Sequence, residues 1–346
     1  METGIEIVQL TTDAPLVSVV VGAYNCERYI AIAIESALAQ TERRLEVVVV
    51  DDASSDRTAD VARTYEVTGR VRVLSNGTNA GPSGARNRAI SAARGTWVAQ
   101  LDGDDWMSIN RVERLLDAAA RSAADFVIDD LLLVDDASMK PVSTRFIDMN
   151  VPWKRLTVFG HDELVHYDLG SVKPLMRRQF IQEHGLVYPE HIRYGEDFLF
   201  LMRALGLGAR FAALPEANYR MRRGNTGSLT TEKASLYCET ERITLQLLAE
   251  DEIRAQPLLC RALERRLRYL RQLAALEALK AALKRGDGVA QRLLSHPGVL
   301  IPLVQRLPAV LAKRMRYTSR RQVLADFQAP SVLGVDAFLA PTITRG

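Results

Sequence analysis

Four short apolar runs, rich in β-branched residues, alternate with segments of helical periodicity in the first hundred residues, and they constrain the fold most strongly. Continuous apolar runs of this length are typical of strands that are buried on both faces of a parallel sheet. Alternation with helices implies right-handed crossovers between parallel strands. The sequence therefore predicts an α/β fold with a mostly parallel central sheet. The four runs are LVSVVV at 16–21, LEVVVV at 45–50, VRVL at 71–74 and WVAQL at 97–101.

Helical segments flank these runs, and the later part of the chain is less regular. A helix that begins near Arg57 has Ser54 or Ser55 as its candidate N-cap. Periodicity is weak from 135 to 168, and the basic segment 218–231 is predicted to be a loop. The other predicted elements are helices at 27–40, 83–94, 109–122, 175–184 and 197–206 and a strand at 125–134.

The composition is that of a soluble globular chain with more than one part. It has 346 residues, of which 47% are hydrophobic and 25% charged, enough for one large domain and an appended one. From 233 to 285 the pattern is strongly helical, and the arginines after 260 are predicted to lie on solvated faces. We predict a leader at 1–15, an α/β domain at 16–231 and a helical extension at 232–346.

Charge and cysteine usage limit the compartment and the partners. The net charge of +3 is too small to require a nucleic-acid partner. Cys26, Cys238 and Cys260 have no metal-ligand spacing and cannot all pair, which fits a reducing compartment. The sequence shows neither the pattern of a signal peptide nor an apolar run of roughly 18–20 residues that could span a bilayer. We therefore expect a cytoplasmic protein.

A basic segment, KRMRYTSRR at 313–321, suggests a second location for the same protein. Clusters of Lys and Arg bind anionic membrane surfaces, so peripheral contact with the inner face of the plasma membrane is the alternative to a purely cytoplasmic location. The segment has one aromatic residue and no recognisable nucleic-acid motif, so no nucleic-acid partner is expected.

Polar residues follow three of the four apolar runs, where ligands bind in open parallel sheets. Tyr24 and Asn25 follow the first run, Asp51-Asp52 the second and Asp102-Gly103-Asp104-Asp105 the fourth. Three carboxylates in four residues repel one another unless a cation or strong donors lie among them. Such oxygen-rich sites suit Mg²⁺ or Mn²⁺ that is bound partly through substrate phosphates. A simple turn is the alternative for each acidic group.

A third acidic group, Gly195-Glu196-Asp197, opens an apolar helical segment. Carboxylates at this position often only stabilise the N-terminus of a helix. The functional alternative is a general base that takes the proton from an attacking hydroxyl.

Together these stretches resemble the family 2 glycosyltransferases, which have the GT-A fold. Within that family, the chain resembles bacterial enzymes of exopolysaccharide synthesis such as the succinoglycan-type transferases. The resemblance covers about the first 230 positions and implies a GT-A domain at 16–231. The matching stretches are VSVVVGAYN at 17–25, VVDDASSD at 49–56, NAGPSGARNRA at 79–89, LDGDD at 101–105 and GED at 195–197.

The resemblance implies a site for a nucleotide sugar at the end of the sheet. Tyr24 should stack on the base, and Asp52 should accept a hydrogen bond from a base N–H, which favours UDP. A cation and an amide, Arg86 and Asn87, would orient groups of the donor. The full set implied for the nucleotide sugar is Ala23, Tyr24, Asn25, Asp52, Arg86, Asn87, Asp102 and Gly103.

The resemblance also implies the metal and the catalytic groups. Asp104 should ligate Mn²⁺ or Mg²⁺, and Asp197 should be the general base of a single inverting displacement. Glu196 should position the acceptor, which is a glycan or a polyprenyl-lipid-linked acceptor. Asp105 would contact the metal shell or the donor sugar. Trp106 would either line the sugar site or pack in the core.

The sequence departs from the family pattern in two places. Gly22 stands where many members have Pro. Many members also have a His in a Tyr-Arg-x-His stretch, where this chain has Arg222. Arg222 would neutralise the diphosphate, or it would belong to a basic surface loop.

Two other classes of function remain open at this level. Sugar nucleotidyltransferases also use a parallel sheet, Asp pairs and Mg²⁺, but a Gly-rich phosphate loop usually follows their first strand, and here 22–25 reads GAYN. A non-catalytic relative that binds nucleotide sugars is the other possibility, and the presence of Asp104 and Asp197 argues against it.

Overall fold

The computed structural model describes residues 14–192, 194–224 and 233–285. The predicted leader up to residue 13 and the basic segment 313–321 lie outside these ranges. The strands within them are β1 (Val17–Ala23), β2 (Leu45–Asp51), β3 (Val71–Ser75), β4 (Trp97–Asp102), β5 (Trp106–Met107), β6 (Phe126–Asp135), β7 (Pro141–Thr144), β8 (Thr157–Phe159), β9 (Leu175–Arg177) and β10 (Phe211–Arg223).

Helices connect and cover the strands, and short 3₁₀ turns occur at Thr64–Thr68 and Leu169–Ser171. The helices within the described ranges are α1 (Ile30–Leu38), α2 (Thr58–Arg63), α3 (Gly81–Ala92), α4 (Arg111–Ser122), α5 (Arg145–Met149), α6 (His161–His166), α7 (Arg178–Glu183), α8 (Glu196–Gly206), α9 (Lys233–Ala249), α10 (Asp251–Arg254) and α11 (Pro257–Arg285).

One continuous sheet has the strand order β3-β2-β1-β4-β9-β6-β10-β5, with β7 paired to β6 and β8 paired to β10. The first four strands are all parallel, as the four apolar runs predict. In their register Ala23 lies beside Asp51, and Gly22 lies beside Asp102. The polar residues that follow these strands therefore meet at one edge of the sheet.

The second half of the sheet is mixed and corrects two predicted elements. Residues 175–177 form β9, antiparallel to both β4 and β6, so the helix predicted at 175–184 begins only at Arg178. Leu175 and Met176 are fully buried because they bridge the two halves of the sheet. The loop predicted at 218–231 is also wrong for 218–223, which form the end of β10 beside β6. The structure does not describe 225–231.

Two apolar cores lie on opposite faces of the sheet. Because side chains alternate along a strand, Val19 belongs to the core that α1 and α4 cover. Val20 belongs to the other core, which α3, α7 and α8 cover together with residues of the C-terminal helices such as Ile243 and Leu263. The helix α8, which begins with Glu196 and Asp197, is therefore packed between the sheet and α9–α11.

The start of α2 differs from its prediction. The helix begins at Thr58, and no serine caps it. Instead Asp56 Oδ1 accepts a hydrogen bond from the Thr58 amide at 3.0 Å. Both serines are engaged by Asn25, whose amide donates to Ser54 Oγ at 3.0 Å and whose Oδ1 accepts from the Ser55 amide at 2.8 Å. The two loops that follow β1 and β2 are joined in this way.

None of the helices in the three described ranges is both long enough and apolar enough to cross a membrane.

Candidate active site

The acidic turn after β4 lies directly against the end of β1. The Gly103 amide donates to the Gly22 carbonyl at 3.2 Å. A Cβ at position 103 would come within 2.9 Å of Cys26 Sγ and 3.2 Å of the Gly22 carbonyl oxygen. Glycine therefore permits the close approach that places Asp102 and Asp104 beside the loop carrying Tyr24.

The loops after β1 and β2 carry the exposed ring of Tyr24 and the buried carboxylate of Asp52. Tyr24 is 53% exposed, whereas Asp52 is buried. The Asp52 amide donates to the Ala23 carbonyl at 2.8 Å. Asp52 Oδ1 accepts from Asn76 Nδ2 at 2.6 Å and from the Ala80 amide at 2.9 Å. The orientation of this carboxylate is therefore set before any ligand binds.

Within the acidic turn, Asp105 faces β10. Tyr219 accepts from the Asp102 amide at 3.1 Å and donates to Asp105 Oδ2 at 2.8 Å. Asp105 Oδ1 accepts from the Arg222 amide at 2.8 Å. Burial, together with the charges of Asp104 and Asp102, raises the pKa of Asp105 well above its ordinary value. Asp105 thus anchors the turn to β10.

Arg222 forms a buried clamp on the same turn. Its Nε donates to the Asp104 carbonyl at 2.7 Å, and its Nη1 donates to Asp136 Oδ1 at 3.0 Å. The guanidinium lies between the rings of Tyr29 and Trp106, 4.7 and 4.5 Å from their centroids. Its side chain is 4% exposed, so the interpretation as a basic surface loop is wrong. Trp106 packs against this clamp.

A second group of charges joins residues from distant parts of the sequence. Arg86 Nη1 donates to Glu196 Oε1 at 2.9 Å and to Asp197 Oδ1 at 3.1 Å. Its Nη2 donates to Asp102 Oδ1 at 3.3 Å. One buried guanidinium on α3 therefore links the carboxylate at the end of β4 with both carboxylates at the start of α8.

Lys173 completes this charged cluster, which we define as Arg86, Asp102, Lys173, Glu196 and Asp197. Its Nζ lies 2.8 Å from Asp102 Oδ2 and 3.4 Å from Asp197 Oδ2. Burial opposes its charge, but the two carboxylates outweigh burial and raise its pKa. Burial likewise disfavours the Asp102 carboxylate, yet Lys173 and Arg86 hold the pKa of Asp102 at about 2.

Sequence reasoning missed Lys173. The only sequence signal is a lone lysine in the apolar segment SVKPLM. Its main chain is fixed by Arg111, whose Nη2 donates to the Lys173 carbonyl at 2.5 Å. Arg111 is in turn fully buried and paired with Asp129 at 2.8 Å. A buried ion pair behind the site therefore positions the lysine.

Asn87 holds the segment that borders the charged cluster. Its Nδ2 donates to the Tyr188 carbonyl at 2.9 Å, and its Oδ1 accepts from the Tyr188 amide at 2.8 Å. The Tyr188 ring lies 5.5 Å from the Arg86 guanidinium, and its hydroxyl donates to Gln100 Oε1 at 3.0 Å. Tyr188 is a further site residue that the sequence did not indicate.

Residues 18–205 match the family model described as Glycosyl transferase family 2. The chain belongs to this family. The matched segment runs from β1 into α8 and contains every member of the charged cluster. The family predicted from the five sequence stretches is thus confirmed.

Two similar proteins are named as succinoglycan biosynthesis proteins. The succinoglycan biosynthesis protein ExoO of Rhizobium meliloti (strain 1021) is 38% identical over 210 residues, which are 59% of this chain and 60% of that protein. ExoU of the same organism is 36% identical over 249 residues, 68% of this chain and 71% of that protein. The alignment therefore spans less than two thirds of ExoO.

Solved structures of similar fold contain bound nucleotide sugars. TarS 1-349 of S. aureus in complex with UDP-GlcNAc has a TM-score of 0.60 at 22% identity, covering 82% of this chain and 87% of that one. The mannosyltransferase PcManGT from Pyrobaculum calidifontis, in complex with GDP-Man and Mn²⁺, has a TM-score of 0.53 at 18% identity, covering 92% and 88%. The predicted GT-A fold is confirmed.

The predicted site residues of this family 2 chain fall into three groups. Four of them, Arg86, Asp102, Glu196 and Asp197, meet in the charged cluster. Their individual roles stay predictions. Ala23, Tyr24, Asp52, Gly103 and Asp104 lie at the adjoining strand ends, whereas the side chains of Asn25, Asn87, Asp105, Trp106 and Arg222 are engaged in contacts that shape the loops.

A metal ion at the acidic turn would take few ligands from the described residues of the protein. In the part of the chain that the structure describes, no three His, Cys, Asp or Glu side chains are arranged to hold a metal ion. Both oxygens of Asp102 already contact Arg86 and Lys173. That Asp104 ligates a divalent ion, with phosphate oxygens and water as further ligands, stays a prediction.

Proposed function

We propose that this chain is an inverting, metal-dependent glycosyltransferase that moves a sugar from a nucleotide sugar to a hydroxyl of a glycan or lipid-linked acceptor in bacterial polysaccharide synthesis. The observation that carries the proposal is the convergence of Asp102 and Asp197, from separate motifs, on Arg86 and Lys173. This arrangement fixes a carboxylate at the start of α8 close to Asp102 at the end of β4, and we expect the donor to bind at these strand ends.

The donor would lie across the ends of β1, β2 and β4. The exposed ring of Tyr24 stacks on the base, and the buried carboxylate of Asp52 accepts from a base N–H, for which UDP is the best match. The complexes of TarS with UDP-GlcNAc and of PcManGT with GDP-Man support a nucleotide sugar as the donor class. The names of ExoO and ExoU support a polysaccharide pathway.

Asp104 would hold Mn²⁺ or Mg²⁺, and the ion, when bound, neutralises charge on the departing diphosphate. The protein's part is to fix the turn that carries Asp104. Arg222 does this through the Asp104 carbonyl, and Asp105 does it through Tyr219. Both contacts are preorganised, so the turn needs no rearrangement when the donor binds.

Asp197 would act as the general base. Arg86 holds Oδ1 at 3.1 Å, while the Lys173 contact to Oδ2 is longer, at 3.4 Å. We expect the acceptor hydroxyl to replace this longer contact and to transfer its proton to Oδ2 as its oxygen attacks the anomeric carbon. One displacement from the opposite face inverts the anomeric configuration, and no enzyme nucleophile is required.

The test uses Asp197→Asn with UDP- and GDP-sugars and Mn²⁺. We expect transfer and donor hydrolysis to fall by about 10²–10⁴-fold, the usual contribution of a general base, with UDP affinity unchanged. Asp117→Asn, on the exposed face of α4, is the matched control and should behave as wild type. Full turnover by Asp197→Asn would reject Asp197 as the base.

The same assay, run also with a nucleoside triphosphate and a sugar phosphate, separates the two alternatives. A nucleotidyltransferase would release pyrophosphate from a nucleoside triphosphate and would not release UDP from a UDP-sugar. A non-catalytic relative would bind UDP without any turnover in the wild-type chain. If neither metal-dependent nucleotide binding nor donor hydrolysis occurs, the glycosyltransferase proposal is wrong.

A further inference from the structure

The C-terminal helices pack along α8, the helix that begins with Glu196 and Asp197. At its start, a Cβ on Gly195 would come within 2.7 Å of Ile243 Cδ1 on α9. Near its end, the Arg203 guanidinium donates to both carboxylate oxygens of the residue before α10, at 2.7 and 3.0 Å. The match to the family model ends at residue 205, before α9 begins. Membership of the family therefore does not say what these helices do.

One residue of α11, Arg266, contacts two separate segments beside the charged cluster. Its Nη2 lies 2.9 Å from Asp168 Oδ1. Its guanidinium carbon lies 4.1 Å from the ring centroid of Phe198, which follows Asp197 in the chain. The side chain of Arg266 is 9% exposed. The prediction that the arginines of this helix lie on solvated faces is therefore wrong for Arg266.

The first of these segments leads to Lys173. Asp168 has a φ of +48° and precedes the 3₁₀ turn Leu169–Ser171, which ends two residues before Lys173. Within this turn, a Cβ on Gly170 would come within 2.7 Å of the Phe198 Cβ and 3.0 Å of the Phe198 Cα. The segment that carries the lysine therefore lies in close contact with the first turn of α8.

Arg266 thus bridges the segment that carries Lys173 and the helix that carries Asp197. The Lys173 Nζ lies 3.4 Å from Asp197 Oδ2, and this distance depends on how the two segments are held together. The bridge has an ion pair with Asp168 at one end and a cation–π contact with Phe198 at the other. A cation–π contact is stronger when the guanidinium is removed from water, as it is here.

We propose that Arg266 is a positioning residue for the Lys173–Asp197 pair, so that the C-terminal helices form part of the catalytic unit. Arg266 acts through Asp168 and Phe198 and needs no contact with the donor or the acceptor. This inference rests on the proposed function, because it takes Asp197 as the general base. Even a small displacement of a reacting group lowers the rate of a reaction, so the position of this pair affects turnover.

The first test measures kcat and KM for hydrolysis of a UDP-sugar by the full chain with Mn²⁺. Arg266→Met removes both contacts and should lower kcat by about tenfold, since it releases the Lys173–Asp197 pair. KM should change less than about twofold, because the proposed base contacts lie on the loops after β1 and β2. Asp168 is left without its cation, but its side chain is 51% exposed and stays solvated, so the variant should fold.

The matched control is Arg265→Met, at the preceding position of α11. Arg265 is 53% exposed and pairs with Asp162, which is also exposed. Its kcat should stay within about twofold of wild type, as for other surface substitutions.

A double variant distinguishes positioning from support of the fold. If Arg266 acts through Lys173, its loss matters less once Lys173 is gone. In a Lys173→Met background, Arg266→Met should lower kcat by less than about threefold, whereas independent effects would again give about tenfold. Thermal unfolding with UDP gives the folded fraction to which each kcat is normalised. A tenfold loss in both backgrounds, or wild-type kcat in Arg266→Met, overturns the positioning role.

Hydrogen exchange tests the same bridge without an assay of activity. In Arg266→Met we expect faster exchange of the amides in 168–174 and 195–200, while the amides of β1 and β2 keep their wild-type rates. Asp168→Asn is the second variant, because Asn tolerates a positive φ and lacks the charge that Arg266 contacts. It should speed exchange in the same two segments and lower kcat in the same direction. Wild-type exchange in both variants overturns the bridge.

The two kinds of measurement separate this inference from the proposed function. If the wild-type chain hydrolyses no UDP-sugar, the proposed function fails, and hydrogen exchange still decides whether Arg266 holds the two segments together. If the wild-type chain is active and Arg266→Met has the same kcat, the proposed function stands and the positioning role fails.

Discussion

Lys173 links two carboxylates that the proposed mechanism uses for different purposes. It contacts Asp102, near the donor, and Asp197, the proposed base. Among the described residues, its removal would leave Arg86 as the one cation that contacts the three carboxylates of the cluster. Like charges in a buried site repel strongly unless a cation compensates them. The lysine therefore matters for the geometry of Asp197 and for its charge state.

Replacing Lys173 tests this role. We expect Lys173→Met to lower kcat by about 10²-fold, since even a small misplacement of a reacting group costs that much. UDP affinity should change little, because Lys173 has no contact with Tyr24 or Asp52. Steady-state kinetics with a UDP-sugar measures both, and Lys140→Met, at an exposed lysine, is the control. Wild-type kcat in Lys173→Met would show that Arg86 alone positions Asp197.

Arg222 acts through the main chain of the acidic turn. Lysine cannot reproduce the Nε bond to the Asp104 carbonyl or the stacking between Tyr29 and Trp106. In Arg222→Lys we expect the Mn²⁺ concentration for half-maximal turnover to rise about tenfold, with the rate at saturating Mn²⁺ largely restored. A metal titration of activity measures this. Arg57→Lys, at an exposed position, should match wild type, and an unchanged Mn²⁺ requirement in Arg222→Lys would contradict the clamp.

These residues also show what the sequence can indicate about a site. Asp104 and Asp197 are recognisable because they stand in short local patterns beside a predicted strand and a predicted helix. Lys173 and Tyr188 can be recognised as site residues only from their contacts with Arg86, Asp102 and Asp197, which are far away in the sequence. The pattern of the local sequence does not predict such long-range contacts.

At the scale of the element, Gly103 decides how closely the acidic turn approaches β1. Gly103→Ala would place a Cβ 2.9 Å from Cys26 Sγ and 3.2 Å from the Gly22 carbonyl oxygen. The strand backbone cannot retreat, because β1 is hydrogen-bonded on both sides. We expect a loss of about 1–3 kcal/mol in the free energy of unfolding, as for other overpacked positions, together with weaker UDP binding.

Gly77→Ala is the matched control for this change. Nothing lies within 4 Å of a Cβ at Gly77, so its free energy of unfolding should stay within about 0.5 kcal/mol of wild type. Urea titrations of both variants supply the comparison. A Gly103→Ala protein as stable as Gly77→Ala would mean that the turn can move away from β1.

The elements that the sequence predicts correctly and those that it does not differ in what buries their residues. The strands β1–β4 are apolar throughout or nearly so, and a continuous apolar run indicates burial directly. The end of β10 reads NYRMRR, for which the sequence predicts a loop. Arg222 is buried there because Asp136 and two aromatic rings surround it, which the local sequence does not record.

At the scale of the whole molecule, the buried carboxyl of Asp130 makes the stability depend on pH. Asp130 lies in β6, where Oδ1 accepts from the amides of Leu131 and Phe146, both at 2.8 Å. Burial outweighs these hydrogen bonds and raises the pKa of Asp130 from 3.8 to about 6. Asp130 thereby links α5 to the sheet. Its carboxyl ionises less readily in the folded state than in the unfolded state.

The sign of the effect follows from proton binding. Between pH 4 and pH 6 the folded chain keeps a proton on Asp130 that the unfolded chain has lost, so this group makes folding less favourable as pH rises through that window.

Asn at this position can keep the acceptor oxygen without the charge. We therefore expect Asp130→Asn to gain stability over wild type as pH rises from 4 to 6, by about 1–3 kcal/mol in total, and to keep that gain above pH 6. Urea unfolding at a series of pH values measures the difference, with Asp117→Asn as the exposed control. A constant difference between Asp130→Asn and wild type across this range would show that Asp130 ionises alike in the folded and unfolded chains.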